Sequence, residues 1–319
     1  MTSAIMKRLF LSLFVLIIAL PSQAIVLTPK KPEAPKRQGE LYSTLYGDVE
    51  SLVITYYNLH DKFGELVKGD MRYMSYYKFN EKGDVIEMML YNSDGTLYSK
   101  DIYKYNAQGA IAETSYYNAN GAIKRKVIYK YDSLGNNTER AEYNSDGSLN
   151  GKEIYKYDNH GNRTEEATFK SDGSLSYKYL SCYDAQGRII DKTYYRDSKA
   201  EMQWHYKYDS AGNWAEWICY YEVGGNYEWK NIMEYDADGN LLSEVVYDIN
   251  GLRHHDKYSD KYVYDSYGNM IEHTTYLIDA VVDKCLKKYD SHGNVIEEIL
   301  FKTEAMIPSY ITEYKIEYR

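Results

Sequence analysis

Cysteine, proline, phenylalanine and long apolar runs are all scarce in this chain, and each shortage excludes something. Cys182, Cys219 and Cys285 are an odd number of thiols, which leaves at least one free in an exported protein, and no disulfide among them is expected. Only five prolines occur. Six phenylalanines stand against 39 tyrosines, and a buried tyrosine wants a partner for its hydroxyl, so a thick apolar core is excluded. The apolar run from Leu9 to Leu20 falls short of the roughly 20 residues that a membrane-spanning helix needs, and no second such run follows. Positive charge is in deficit too: the formal net charge is −9. Nothing in that balance recruits nucleic acid.

What is present begins with an address. Lys7 and Arg8 precede the apolar run, and Pro21, Ser22, Gln23 and Ala24 close it with small residues. This reads as a secretory signal peptide, residues 1–24, cut after Ala24. No cysteine follows at the cleavage position, which disfavours a lipid anchor, so the mature chain is expected to be exported to the periplasm, the cell surface or the medium. Residues 25–40 hold three of the five prolines and no apolar periodicity, and they read as a disordered tether. Residues 41–82 have strand-like composition with irregular spacing, the mark of an atypical N-terminal capping repeat.

From Gly83 the chain is periodic. Gly83, Gly109, Gly135, Gly161 and Gly187 lie 26 residues apart, and Gly212, Gly239, Gly268 and Gly293 continue with small slips. Gly95, Gly121, Gly147 and Gly173 each follow their predecessor by 12 residues. Each half of the unit has room for one strand and one tight turn, so the unit is a β-hairpin. Asp132 and Asn144 stand where a side chain can cap a turn, and Gly135 and Gly147 where a positive φ is needed. The expected fold is all-β: repeated antiparallel hairpins over residues 83–319 in one long twisted or spiralling sheet.

Alternation sorts the side chains into rows. Four residues after the glycines stand Glu87, Glu113, Glu139, Glu165, Asp191, Glu216, Glu272 and Glu297; eight residues after them the position is aromatic throughout, from Tyr91 to Phe301. Lys100, Lys126, Lys152, Lys178 and Lys230 are expected on the opposite face. Antiparallel pairing across a turn sets Tyr131 opposite Asn137 and Tyr183 opposite Ile189. Each favourable cross-strand pair contributes roughly 0.2 to 1 kcal/mol, so many pairs rather than one core should hold the array.

The motif Y-D-x-x-G-N at Tyr131, Tyr157, Tyr208, Tyr264 and Tyr289, with Y-D-x-x-G-R-I at Tyr183, resembles the YD-repeat (rearrangement-hotspot) family over about three quarters of the chain. The Y-N-x-D-G-x-L turns at Tyr91 and Tyr143 are also similar to MORN-type repeats. The resemblance implies hairpins wound into a spiralling sheet and, in the large members, a shell around a C-terminal toxin. This chain ends inside strand-like sequence, so toxin delivery is not carried over.

Catalysis would need a convergent constellation, and repeats supply rows. Equivalent glutamates two strands apart stand about 9 to 10 Å from one another, a spacing open to an inverting glycosidase pair, but a solvated face balanced by basic groups accounts for the row more simply. Asp236 and Asp238 before Gly239 resemble part of a calcium loop without its closing glutamate, and a plain turn explains them. His254, His255 and Asp256 are metal-capable, yet neighbours on a strand point to opposite faces. His160 and His292 lie at turn tips. No metal, cofactor or catalytic residue is expected.

The least uniform feature is the tryptophans, all four of which fall between Trp204 and Trp229. Counting across Gly212 pairs Trp204 with Ile218, Tyr206 with Glu216 and Tyr208 with Trp214. Counting across Gly224 and Gly225 sets Trp229 beside Ile218 and Asn231 beside Glu216. Trp204, Tyr206, Trp214, Glu216, Trp229 and Asn231 are therefore the candidate ligand-binding residues, with Trp217 on the opposite face as packing. The expected function is binding or scaffolding of an unknown protein or glycan. The alternatives are a cell-surface glycan-binding protein or an immunity-like partner of another exported protein, with a hydrolase behind both.

Overall fold

The computed structural model describes residues 37–39, 42–62, 65–221, 227–248, 258–277, 280–302 and 307–319. The signal segment, most of the tether and the cluster at His254 lie outside them. Two short strands, β1 (Arg37–Gly39) and β2 (Tyr42–Leu45), pair with each other. Two long strands follow, β3 (Val49–Lys62) and β4 (Glu65–Phe79). The repeats supply β5 (Val85–Asn92), β6 (Leu97–Tyr105), β7 (Ile111–Asn118), β8 (Ile123–Tyr131), β9 (Asn137–Asn144), β10 (Leu149–Tyr157), β11 (Arg163–Lys170), β12 (Leu175–Tyr183) and β13 (Ile189–Arg196). They continue with β14 (Lys199–Tyr208), β15 (Trp214–Tyr221), β16 (Tyr227–Tyr235), β17 (Leu241–Asp248), β18 (Tyr258–Tyr264), β19 (Met270–Leu277), β20 (Ala280–Tyr289) and β21 (Val295–Lys302). The last strand is β22 (Ile307–Tyr318).

Consecutive strands from β3 to β22 pair antiparallel, as the repeat register requires, but the sheet is not open. β22 pairs with β3 through Ile316 opposite Leu52 and Tyr314 opposite Ile54, and the 20 strands close into a barrel. The expectation of one long twisted or spiralling sheet is corrected by this seam. An open meander leaves two unpaired edges, which are a liability, and joining them removes both. At about 4.8 Å per strand the circumference is about 96 Å, or about 31 Å across before strand tilt is counted.

The turns explain why this sequence makes hairpins and nothing else. The Asp132 carboxylate accepts from the backbone N–H groups of Leu134 and Asn136, and the Asn136 amide donates to its second oxygen at 2.9 Å. The same device recurs at Asp158, Asp209, Asp236 and Asp265. Gly135 takes φ 87°, the left-handed value that only glycine adopts without strain. The turn between β13 and β14 has no glycine, and there Asp197 and Ser198 take the positive φ themselves. A further contact was not foreseen from the sequence. Six motif tyrosines donate their hydroxyls to the first carbonyl of the strand that follows the preceding motif turn, among them Tyr131 to Ile111 at 2.7 Å, Tyr157 to Asn137 at 2.7 Å and Tyr289 to Met270 at 2.6 Å. The motif tyrosine thus bolts one turn to the next.

Each hairpin of the 26-residue glycine series also carries a one-residue bulge. Tyr131 does face Asn137, but Lys130 then faces Glu139 and Lys126 faces Tyr143. A one-residue slip moves a whole strand's side chains to the other face. The lysines expected opposite the glutamates therefore share their face: Glu113 holds Lys104 at 3.0 Å and Lys126 at 3.3 Å, and Glu87 holds Lys100 at 3.0 Å. The acidic row is an ion-pair ladder. The aromatic row shares that face, with Tyr143 opposite Lys126 and Tyr117 opposite Lys100, while the other face carries a second set of rings, Tyr116, Tyr129 and Tyr155, and charges as well: Arg125 bonds Glu142 at 2.9 Å and Arg140 bonds Glu153 at 3.2 Å. Among the described residues charge thus stands in mid-strand on both faces, unlike the outward apolar band of a transmembrane β-barrel. No helix among the described residues is long and apolar enough to cross a membrane.

Apolar packing concentrates at the seam. Val49, Leu52, Ile54, Tyr77 and Phe79 form a buried cluster against which Leu45, Met88, Tyr314 and Ile316 pack. The ninth motif turn is rewired there. The Asn294 amide donates to the Tyr46 carbonyl and to the Tyr318 hydroxyl, both at 2.8 Å, while its oxygen accepts from the Tyr46 N–H at 2.7 Å. Tyr318 donates to the second Asp290 oxygen at 2.6 Å, the place taken by the asparagine amide in other motif turns such as that of Asp132.

Candidate functional site

The bulge after Gly212 decides what the tryptophan window becomes. Tyr208 faces Trp214 as counted, but Trp204 faces Cys219 and Tyr206 faces Trp217. Across the next turn, whose residues 222–226 lie outside those described, Cys219 faces Trp229 and Trp217 faces Asn231. Two parallel rows result on one face: Trp204, Cys219, Trp229, and Tyr206, Trp217, Asn231. Trp204 and Trp229 do share a face, as expected, around Cys219 rather than Ile218.

Two placements are corrected. Trp217 belongs to the site face, and Glu216 does not. Glu216 lies on the ion-pair face between Lys207 at 2.6 Å and Lys230 at 3.0 Å. Burial alone would raise its pKa, but the two lysines bond it and hold it below the usual glutamate range. It is committed to the wall. Trp214 sits at the turn end of β15, 44% exposed, donating its indole N–H to the Tyr208 hydroxyl at 2.8 Å with its ring 5.5 Å from that of Tyr206.

The carboxylate beside the rings is one the spacing did not indicate, Glu244 on β17, which accepts from the buried Asn231 amide. The Asn231 side-chain oxygen is buried without a hydrogen-bond partner. Upstream, the ring surface extends across β12 to β14. Tyr179 and Tyr194 stand 5.2 Å apart, Tyr177 is 5.8 Å from Tyr194, and Tyr179 is 6.2 Å from Trp204. The Lys192 ammonium lies 4.2 Å over the Tyr179 ring, and Arg196 donates to the Tyr194 hydroxyl at 2.7 Å. Burial raises the phenol pKa of Tyr179 and of Tyr206. Both hydroxyls are therefore neutral donors at ordinary pH.

Sequence reasoning missed Trp217, Glu244, Lys192 and the three upstream tyrosines. A signal for the first was available: an Asp-x-x-Gly-Asn turn is a type I turn closed by a left-handed glycine, the arrangement that brings a bulge with it.

The three cysteines form no disulfide; Cys219 is buried between the two indole strands and Cys182 is exposed. Among the described residues no three His, Cys, Asp or Glu side chains converge on a metal position.

No family model matches the chain, and no curated relative matches it. Solved structures similar to it include the TcdB2–TccC3–Cdc42 complex, with 13% identity, 80% of this chain and 16% of that chain covered, and a TM-score of 0.40. The Photorhabdus luminescens Tc holotoxin pore matches with 10% identity over 77% of this chain and 16% of that one, at a TM-score of 0.36. A porin-like protein from Bacteroides uniformis matches with 9% identity over 84% of this chain and 98% of that one, also at 0.36. The chain spans about a sixth of the toxin chains it matches. Likenesses at this level decide neither fold nor function, and the YD-repeat resemblance stands on the sequence motif alone.

Proposed function

We propose that this chain is an exported β-repeat scaffold that binds a glycan on the aromatic face of β12 to β16, acting by binding and not by catalysis. The observation that carries the reading is the run of Tyr177, Tyr179, Tyr194, Trp204, Trp217 and Trp229 on one face beside Asn231 and Glu244. Elsewhere in the wall this face sets tyrosines under salt-bridged arginines, as Tyr116 under Arg125 and Tyr155 under Arg163, whereas here Tyr177, Tyr179, Tyr194 and Trp204 adjoin one another and the indoles follow. Flat rings stack on the apolar faces of sugars, and a carboxylate fixed by a buried amide, as Glu244 is by Asn231, orients hydroxyls. The leader-like segment through Ala24 supports export.

The test is a glycan screen of the mature chain beside its Trp217→Ala variant. Retention of at least one glycan class is expected, weakened about tenfold or more in the variant, the equivalent of about 1.4 kcal/mol for one lost stacking partner. A wild-type chain that retains no glycan, or a variant that binds as tightly, contradicts the reading.

A further inference from the structure

The two tryptophans of the first row are spaced for a ligand of a particular shape. Trp204 on β14 and Trp229 on β16 face the same residue, Cys219, in register from either side. Their Cα atoms are thus two strand spacings apart, about 10 Å, along a line that runs across the strands. Cys219 is fully buried, so between the half-buried indoles the line drops to a floor rather than meeting a third side chain. The second row, Tyr206, Trp217 and Asn231, runs parallel one pleat repeat away, about 7 Å.

We propose that this face takes an extended β-1,4-linked glycan lying across β14 to β16, with alternate sugars stacked on Trp204 and Trp229 and the intervening sugar over Cys219. This rests on the glycan reading above and names its substrate class. In a β-1,4-linked chain successive sugars turn over, so every second ring presents the same face, and the disaccharide repeat is close to the spacing of alternate strands. An α-1,4-linked chain curls and cannot keep two sugars flat on rings so placed. Glu244, held in place by the buried Asn231 amide, flanks the line at the β16 end, where its half-buried carboxylate meets the equatorial hydroxyls along the edge of a flat chain. Lys192, the register partner of Trp204 on β13, continues the line beyond the first indole.

The experiment is titration of the mature chain with cello- and chito-oligosaccharides of two, four and six sugars, and with maltohexaose, read by calorimetry and tryptophan fluorescence. The four-sugar chains should bind about tenfold or more tighter than the two-sugar ones, because the second ring is engaged intramolecularly. Trp204→Ala and Trp229→Ala should each reduce that gain to about twofold or less while leaving disaccharide binding on the remaining ring. Trp204→Phe and Trp229→Phe, which keep a ring, guard against misfolding and should restore part of the gain. Affinity that ignores length, or maltohexaose bound as tightly as the β-linked hexamers, overturns the inference and leaves the glycan reading standing. Binding of no oligosaccharide, together with no glycan retained in the screen, overturns both.

Discussion

The wall of repeats and the seam that closes it solve the same problem by different means. In the wall, from β5 to β21, strands are 7 to 10 residues long, and turns are closed by their own Asp and Asn. There, ion pairs such as Lys130 with Glu139 at 2.7 Å line one face. At the seam, β3, β4 and β22 run to 14, 15 and 12 residues and hold the buried apolar cluster. Exposed ion pairs are each worth about 0 to 1 kcal/mol, and identical ones cannot tell one hairpin from the next. A periodic wall therefore does not specify where it stops. The non-repeating strands do, by pairing β22 with β3 and β3 with β4 over a longer register than any repeat hairpin, and by covering Leu52, Ile54 and Tyr77.

The contrast can be broken most sharply with a matched pair of truncations. Ile54→Ala at the seam should cost about 2 to 5 kcal/mol, whereas Ile128→Ala in the half-exposed wall should cost less than about 2 kcal/mol, both read from urea unfolding. Equal losses would mean that the seam is no stronger than any other hairpin. The next effect is collective and treats both regions alike. Burial, aided by nearby carboxylates, pushes the phenols of Tyr262, Tyr289 and Tyr318 up to about 12. A raised phenol stays protonated in the fold while the unfolded chain ionises near pH 10. Stability should thus be complete below about pH 10 and fall as the pH rises from about 10 to about 12. Thermal midpoints followed across that window, with phenolate absorbance, check the sign; midpoints that do not move would refute it.

Smaller effects sharpen the comparison at single turns. Asn294→Ala leaves the Tyr46 backbone and the Tyr318 hydroxyl short of partners and should cost about 1 to 3 kcal/mol. Asn136→Ala, in an exposed wall turn, should cost about 0.5 to 1.5 kcal/mol. Hydrogen exchange at Tyr46 should accelerate only in the first variant. Tyr131→Phe deletes one bolt between turns and should cost about 1 kcal/mol by thermal unfolding; a neutral result would remove the proposed role of the motif tyrosine.

Much of the wall could be read in the sequence because its information is local. Asp132, Gly135 and the 26-residue register fix where strands end, and Tyr131 does face Asn137. The faces were misread because a bulge adds one residue without changing the spacing of any glycine. That single slip put Glu216 on the ion-pair face and Trp217 among the rings. Closure was not legible for a different reason: Leu52 and Ile316 are 264 residues apart, and nothing in either segment announces the other. Glu244 beside Asn231 is hidden for the same kind of reason, since it follows from the summed slips of several turns.

The claim that the chain is a ring is tested most directly by one distance. Spin labels at Glu50→Cys and Lys315→Cys, in a background with Cys182, Cys219 and Cys285 replaced by Ala, sit on β3 and β22. Double electron–electron resonance should give a single short distance, on the order of 10 to 25 Å, for two adjacent strands carrying flexible labels. An open sheet of the same strands would hold the labels several tens of ångström apart, about 90 Å if flat, and a distribution centred there would contradict the closed barrel.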